Sequence, residues 1–251
     1  MRLQGLPATV NIGSHTESEA IMPTESFFQQ LDARIARFDL LGHPFYKAWS
    51  AGELSGNDLR EYARDYYHHV RAFPTYLAEL SMRLEEGELR RAVLDNLAEE
   101  RGGKDSANPE HAELWLDFAE GMGARREMRA EESPAEVKQL LWFFHDVASD
   151  GTPAEALAAF YAYESQVPRV AKEKARGLRE MYGADEKTCG YIILHSTADV
   201  YHAQVWRQQL EARLEARPAE AAKALAAGEG AAKALWRTLN GFEGRRTAKA
   251  A

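Results

Sequence analysis

The sequence predicts an all-α protein built as one helical bundle. Three observations predict it. Apolar residues recur at helical spacing along almost the whole chain, proline and N-capping residues mark helix starts, and no stretch alternates apolar and polar residues between turn signals as a strand would. The 251 residues, 45% apolar and 28% charged, are enough for one large domain of ordinary soluble composition. A formal charge of −8 argues against a nucleic-acid partner. No run of about 18 apolar residues occurs, so no membrane span is expected. The single cysteine, Cys189, permits no intrachain disulfide and fits a reducing cytoplasm.

Residues 1–22 are polar, broken by Gly and Pro, and expected as a disordered leader. Met22, followed by the helix-entry pattern Pro23-Thr24-Glu25-Ser26, is expected as a true or alternative start. The helical domain then spans 23–240. Phe27 to Phe38 has helical spacing. Ser55-Gly56-Asn57-Asp58 opens a long segment, Leu59 to Leu84, which Pro74 should kink or break. Leu89 to Glu100 and His111 to Met122 are helices joined by a Gly-rich loop. Ser133-Pro134 and Thr152-Pro153 are N-cap plus N1-proline starts, each with a glutamate soon after. The second leads into Ala154 to Tyr182, with Pro168 inside. Glu186 to Ala216 follows, and Pro218 starts an alanine-rich helix reaching about Leu239. Residues 241–251 are expected to fray.

The segment His195-Ser196-Thr197-Ala198-Asp199-Val200-Tyr201-His202 reads His-x3-Asp-x2-His. On a helix, i, i+4 and i+7 share one stripe. Two imidazoles and a carboxylate there suit a cation such as iron or manganese. The flanking Ile192, Ile193, Leu194, Val200 and Val205 imply burial. Glu164 lies in the aromatic, small-residue stretch Ala159-Phe160-Tyr161-Ala162-Tyr163-Glu164, where an unpaired carboxylate would cost several kcal/mol. A cation explains it; a salt bridge to an arginine is the bland alternative. Glu99 and Glu100 end one helix and His111 begins the next, so an acid and a histidine can converge across a loop. Glu99, His111, Glu164, His195, Asp199 and His202 together make three carboxylates and three imidazoles. Bundles that host two divalent ions use a comparable mixture.

Several runs then resemble a known family. His43-Pro44-Phe45-Tyr46-Lys47-Ala48-Trp49 and Asp65-Tyr66-Tyr67-His68-His69 match the haem-oxygenase-like (TenA/PqqC-like) superfamily. Asp95 to Glu100, His111-Ala112-Glu113-Leu114-Trp115, Tyr163-Glu164-Ser165-Gln166-Val167-Pro168-Arg169 and the His195/Asp199/His202 triplet resemble the chlamydial protein associating with death domains and its bacterial relatives. The resemblance covers roughly residues 24–215. It implies a seven-helix bundle, usually a homodimer, with a dinuclear iron or iron–manganese site and no haem. It further implies O2 and an external reductant as co-reactants, and 4-aminobenzoate for folate as product. In that family the ring comes from a tyrosine excised from the protein's own chain, and a lysine is thought to supply the amine. The matching positions are Tyr46 and Lys174. The chain departs from the family in spacing: Glu99 and His111 are twelve apart where about seven is usual. Glu99, the first of the acidic pair, is the expected ligand, with Glu100 the alternative. The resemblance and the need for proximity together place Tyr46 pointing at the metals.

Other readings weigh against this one. A di-iron oxidase with a diffusible substrate would keep the ligands. Thiaminase-like hydrolysis needs a pocket cysteine, and Cys189 lies outside the matched motifs. A pyrroloquinoline-quinone-type oxidase would not need the ligand set, and an interaction protein would leave it idle. His68 and His69 are expected to pack or cap, His145 to be a satisfied core or boundary residue, and Tyr66 and Tyr163 to be pocket walls or electron-transfer residues.

Overall fold

A computed structural model describes residues 24–102, 109–128 and 133–250. Among them are eleven α-helices: α1 (Thr24–Ala36), α2 (Pro44–Ala51), α3 (Gly56–Arg83), α4 (Glu88–Arg101), α5 (His111–Gly121), α6 (Ala135–Ser149), α7 (Pro153–Glu164), α8 (Val167–Glu180), α9 (Glu186–His195), α10 (Ala198–Ala216) and α11 (Ala221–Ala250). The described residues contain no strand, as the missing alternation implies. The expected leader, the Met22 start and most of the loop before His111 lie outside the described residues.

Local chemistry sets several helix starts. His43 caps α2, its Nδ1 accepting from the Phe45 amide at 3.1 Å, with Pro44 as the first helical residue. Ser55 and Asp58 form a reciprocal capping box on α3, and Thr152 and Glu155 form another on α7. The start expected at Ser133-Pro134 falls one residue later, at Ala135, and Pro134 makes no side-chain cap.

Four expectations need correction. Pro74 does not break α3, which continues to Arg83 with Pro74 itself buried in the core; tertiary packing outweighs the roughly 3 kcal/mol penalty of an interior proline. The segment 154–182 is two helices, because Pro168 has no N–H for the Glu164 carbonyl, so α7 stops there and α8 begins. The segment 186–216 is also two: Ser196 Oγ donates to the Ile193 carbonyl at 2.7 Å and Thr197 Oγ1 to the Leu194 carbonyl at 3.1 Å, and such back-bonding weakens the ladder between α9 and α10. These splits carry the count past the seven helices the resemblance implies. Finally, α11 does not end near Leu239 or fray from 241. It runs to Ala250, held by Arg245 to Asp65 at 3.3 Å and Lys249 to Glu61 at 2.7 Å.

Helix α7 is the hub. It is buried from Ala156 through Glu164 and packs on α6, α10 and α11. A helix apolar all round belongs inside a bundle. Its buried carboxylate, Glu164, is therefore carried into the interior. Helix α3 packs on α4, α5 and α6, while α5 also packs on α9. Buried indoles tie the layers: Trp115 Nε1 donates to the Ala63 carbonyl at 2.7 Å and Trp49 Nε1 to the Lys174 carbonyl at 3.3 Å.

Candidate metal centre

Five helices deliver the donors. Glu100 lies in the last turn of α4, His111 begins α5, Glu164 ends α7, His195 ends α9, and Asp199 and His202 lie in the first turns of α10. All six are buried. Ligand atoms of Glu100, His111 and His195 lie within 4.8 Å of one another. His195 Nδ1 is 2.9 Å from Asp199 Oδ1, and His202 Nδ1 is 3.5 Å from the same oxygen. Glu164 accepts from the Trp206 indole. A cavity of about 10 Å³, roughly one water, sits between Glu100, Glu164, His195 and Asp199 under the rings of Tyr163 and Tyr191.

Three buried imidazole nitrogens, His111 Nδ1, His195 Nε2 and His202 Nδ1, have no hydrogen-bond partner. His111 Nδ1 is 2.9 Å from Glu100 Oε2, yet the pair lacks hydrogen-bond alignment. Orphaned buried polar atoms are uncommon in native proteins. Lone pairs directed at a space shared with carboxylates are what a borderline cation takes as ligands, so the residues fit a metal. The electrostatics agree. Burial pushes the Glu164 carboxyl well above the usual range, with His202 opposing. Burial would raise Asp199 too, but the His195 and His202 imidazoles outweigh it and hold Asp199 low. His202 is pushed up to about 10, because Asp199, Glu164 and Glu99 outweigh its own burial. The carboxylates thus draw positive charge onto the site, a role divalent ions would fill.

A second cavity, about 30 Å³, adjoins the first and shares Tyr163 and Tyr191 with it. Tyr46, Tyr62, Tyr66 and Lys174 line it. Lys174 Nζ donates to Tyr62 Oη at 2.6 Å, and the Tyr46 and Tyr62 hydroxyls are 3.1 Å apart. The ammonium position lies 4.6–5.5 Å from the ring centroids of Tyr46, Trp49, Tyr62 and Trp115. Burial lowers the Lys174 pKa to about 7 and raises that of Tyr46 to about 12.

Residues 60–237 match a protein family described as an iron-containing redox enzyme. The chain belongs to this family. The matched stretch contains all six buried donors and Lys174. Among relatives, a 4-aminobenzoate synthase of Chlamydia muridarum is 40% identical over 74% of this chain and 78% of its own. Another, of Chlamydia trachomatis, is 36% identical over 86% of this chain and 92% of its own. A Shewanella denitrificans domain with a heme oxygenase-like fold superposes with a TM-score of 0.74 at 16% identity, covering 90% of this chain and 94% of that one. The haem-oxygenase-like fold is therefore shared.

Within this family member, the structure brings together His111, Glu164, His195, Asp199 and His202 from the expected ligand set. Of the acidic pair, Glu100 turns inward beside His111. Glu99 turns out: its side chain is 53% exposed, against 3% for His202, whose Nε2 it meets at 2.8 Å. Tyr46 and Lys174 share a cavity, but it is the neighbouring one; Tyr46 does not line the ligand cavity as its expected aim at the metals required. Tyr66 and Tyr163 are pocket walls. His145 is half-exposed and bonded to Glu79 at 2.9 Å. His69 is buried among aromatic rings with neither nitrogen partnered. Sequence reasoning missed Tyr62, Tyr191 and Trp206. Tyr191 and Trp206 each lie four residues from a ligand, at His195 and His202, so helical spacing offered a signal; Tyr62 offered none.

Proposed function

We propose that this protein is an oxygen-dependent 4-aminobenzoate synthase that takes the aromatic ring from its own Tyr46. Glu100, His111, Glu164, His195, Asp199 and His202 would hold two divalent ions, iron with iron or iron with manganese. The observation that carries this reading is the juxtaposition of two cavities, one lined by three carboxylates and the orphaned imidazole of His195, the other with a buried amine among phenols. The two relatives named above are 4-aminobenzoate synthases, which supports the product assignment.

The metals, with O2 and an external reductant, would supply the oxidising power. The chain's own residues do the rest. Five helices fix the donors and exclude bulk water. Tyr46 keeps its phenol proton near neutral pH, so any proton it loses passes to a neighbour, and Tyr62 Oη is 3.1 Å away. Lys174, depressed to about 7, can present a neutral amine in the same cavity, and a neutral amine is the form that attacks an electrophilic carbon. Cavity size supports an internal target. Pockets for diffusible ligands run to about 300–1,000 Å³, whereas this one is about 30 Å³.

The test is isotopic. Protein grown on ring-labelled tyrosine, loaded with iron and exposed to O2 and reductant, should release at most one labelled 4-aminobenzoate per chain. Tyr46→Phe should keep helix content and metals and release none. Product beyond one equivalent with Tyr46 intact would overturn the reading in favour of a diffusible substrate.

A further inference from the structure

An open polar groove of about 600 Å³ runs between α4 and α10 and reaches the buried His202. Glu88, Asp95 and Glu99 line its α4 wall. Their i, i+7 and i+11 spacing puts them on one stripe of that helix, with Asp95 and Glu99 one turn, about 6 Å, apart. Arg91 is the one arginine or lysine among the described lining residues, beside three carboxylates. A second observation is independent of these acids. Asn96 also lines the groove, is only 4% exposed, and has both amide atoms without a partner. An unsatisfied buried amide on a polar groove points to a ligand or its hydration shell.

Glu99 connects groove and centre. Its side chain is half-exposed, yet one carboxylate oxygen reaches Nε2 of a histidine whose Nδ1 lies among the metal donors. A permanent structural ligand would be expected inside the bundle, where Glu100 already sits beside His111. A carboxylate with one side to solvent and one to a ligand histidine is placed to exchange a cation between them.

We propose that the α4/α10 groove is the entry path for the divalent metal, and that Glu99 is a transfer ligand which passes the ion from Asp95 and the Asn96 amide oxygen to His202. Carboxylate and amide oxygens bind a hydrated ferrous or manganous ion without selecting it tightly, which suits transit rather than storage. The acidic stripe raises the local cation concentration, and such focusing changes on-rates by about 10- to 1,000-fold. The proposal rests on the metal-centre reading above.

The experiment follows metal uptake, not product. Metal-free protein is mixed with Co(II) or Fe(II) by stopped flow, and ligand-field absorbance reports the rate; elemental analysis at saturation reports the stoichiometry. Asp95→Ala and the Asp95→Ala/Glu99→Ala double variant should load at least about 10-fold more slowly, yet reach the wild-type metal content. Glu53→Ala, which removes an exposed charge outside the groove, should load at the wild-type rate. Unchanged uptake in the double variant overturns the entry path. Loss of a metal at saturation in Glu99→Ala makes Glu99 a resident ligand and overturns the transfer role. If the wild type takes up no metal, the centre itself fails, an outcome distinct from both.

Discussion

Replacing Lys174 by Met tests the buried amine most directly. Lys174 is 5% exposed, and burial lowers its pKa from 10.5 to about 7. Each pKa unit is worth 1.36 kcal/mol, so this displacement corresponds to about 5 kcal/mol of destabilisation when the amine is charged in both states. Below pH 7 both the folded and unfolded chains carry the proton, and the folded state bears the full penalty. Between about 7 and 10.5 the unfolded chain binds the proton and the folded chain does not, so wild-type stability rises with pH through that window. The four surrounding rings attract the ammonium and offset part of the penalty. Lys174→Met removes the titration and keeps a similar shape. The variant should exceed wild type by up to about 5 kcal/mol at pH 6, and the gap should narrow by about 3 kcal/mol between pH 7 and 9. Urea unfolding of both proteins with chelator, at pH 6 to 9, measures it; the histidine cluster is common to both and drops out of the difference. A gap independent of pH would mean that Lys174 titrates as an exposed lysine, and the case for a neutral amine beside Tyr46 would fall with it.

Three other outcomes follow. Glu100→Ala should lower the metal content at saturation while Glu99→Ala leaves it unchanged, as read by elemental analysis of protein prepared with iron and reductant. Gly177→Ala should destabilise the protein by about 1–3 kcal/mol, because a Cβ there would lie 2.9 Å from the Trp49 ring that packs beside Lys174; thermal unfolding checks it. Tyr191→Phe should bind both metals yet release 4-aminobenzoate more slowly, since it keeps the ring beside His195 and removes the hydroxyl from a residue that lines both cavities; single-turnover product formation reads this, and an unchanged rate would remove the Tyr191 hydroxyl from the path.

Much of the site was legible because it is written in helix periodicity and misplaced polarity. A glutamate in Ala159–Pro168, with its rings and small residues, has few bland explanations, and Glu164 is indeed carried inside by α7. The His195, Asp199 and His202 spacing also worked, although the helix breaks at Ser196 and Thr197; the break falls between ligands and leaves all three on the same side. The choice within Glu99-Glu100 was not legible. Adjacent residues on a helix differ by about 100° in direction, and a loop of altered length hides which of them faces His111. The end of α11 was misread for a related reason. Its last turns are fixed by ion pairs to Asp65 and Glu61, more than 150 residues earlier in the chain, and periodicity says nothing of such partners. Pro74 shows the converse: local chemistry argued for a kink or a break, and the helix runs on unbroken through a proline buried in the core.

The separation of the two cavities bears on how such a site could consume one of its own residues without destroying the rest. Tyr46 was expected to point at the metals, since reaction by contact needs the ring alongside them. The structure instead sets Tyr163 and Tyr191 between the donor cavity and the one holding Tyr46. Phenols line the way between the two regions: Tyr191 against His195, Tyr163 and Tyr66 in the same cavity wall as Tyr191, Tyr66 stacked on Tyr62 at 5.5 Å, and Tyr62 bonded to Tyr46. Burial raises the pKa of each of these phenols, so each holds its proton at neutral pH. Oxidation of a buried phenol that cannot ionise beforehand must release its proton to a neighbour, and Tyr62 has two hydrogen-bonded ones, Tyr46 and Lys174. At the far end Tyr46 has Tyr62, and behind Tyr62 stands an amine near its own pKa. That end of the row is where a proton can be taken up and an amine is at hand. The arrangement therefore sets the Tyr62–Tyr46 pair, with Lys174 bonded to Tyr62, apart from Tyr66 and Tyr163, which have no hydrogen bond to an amine.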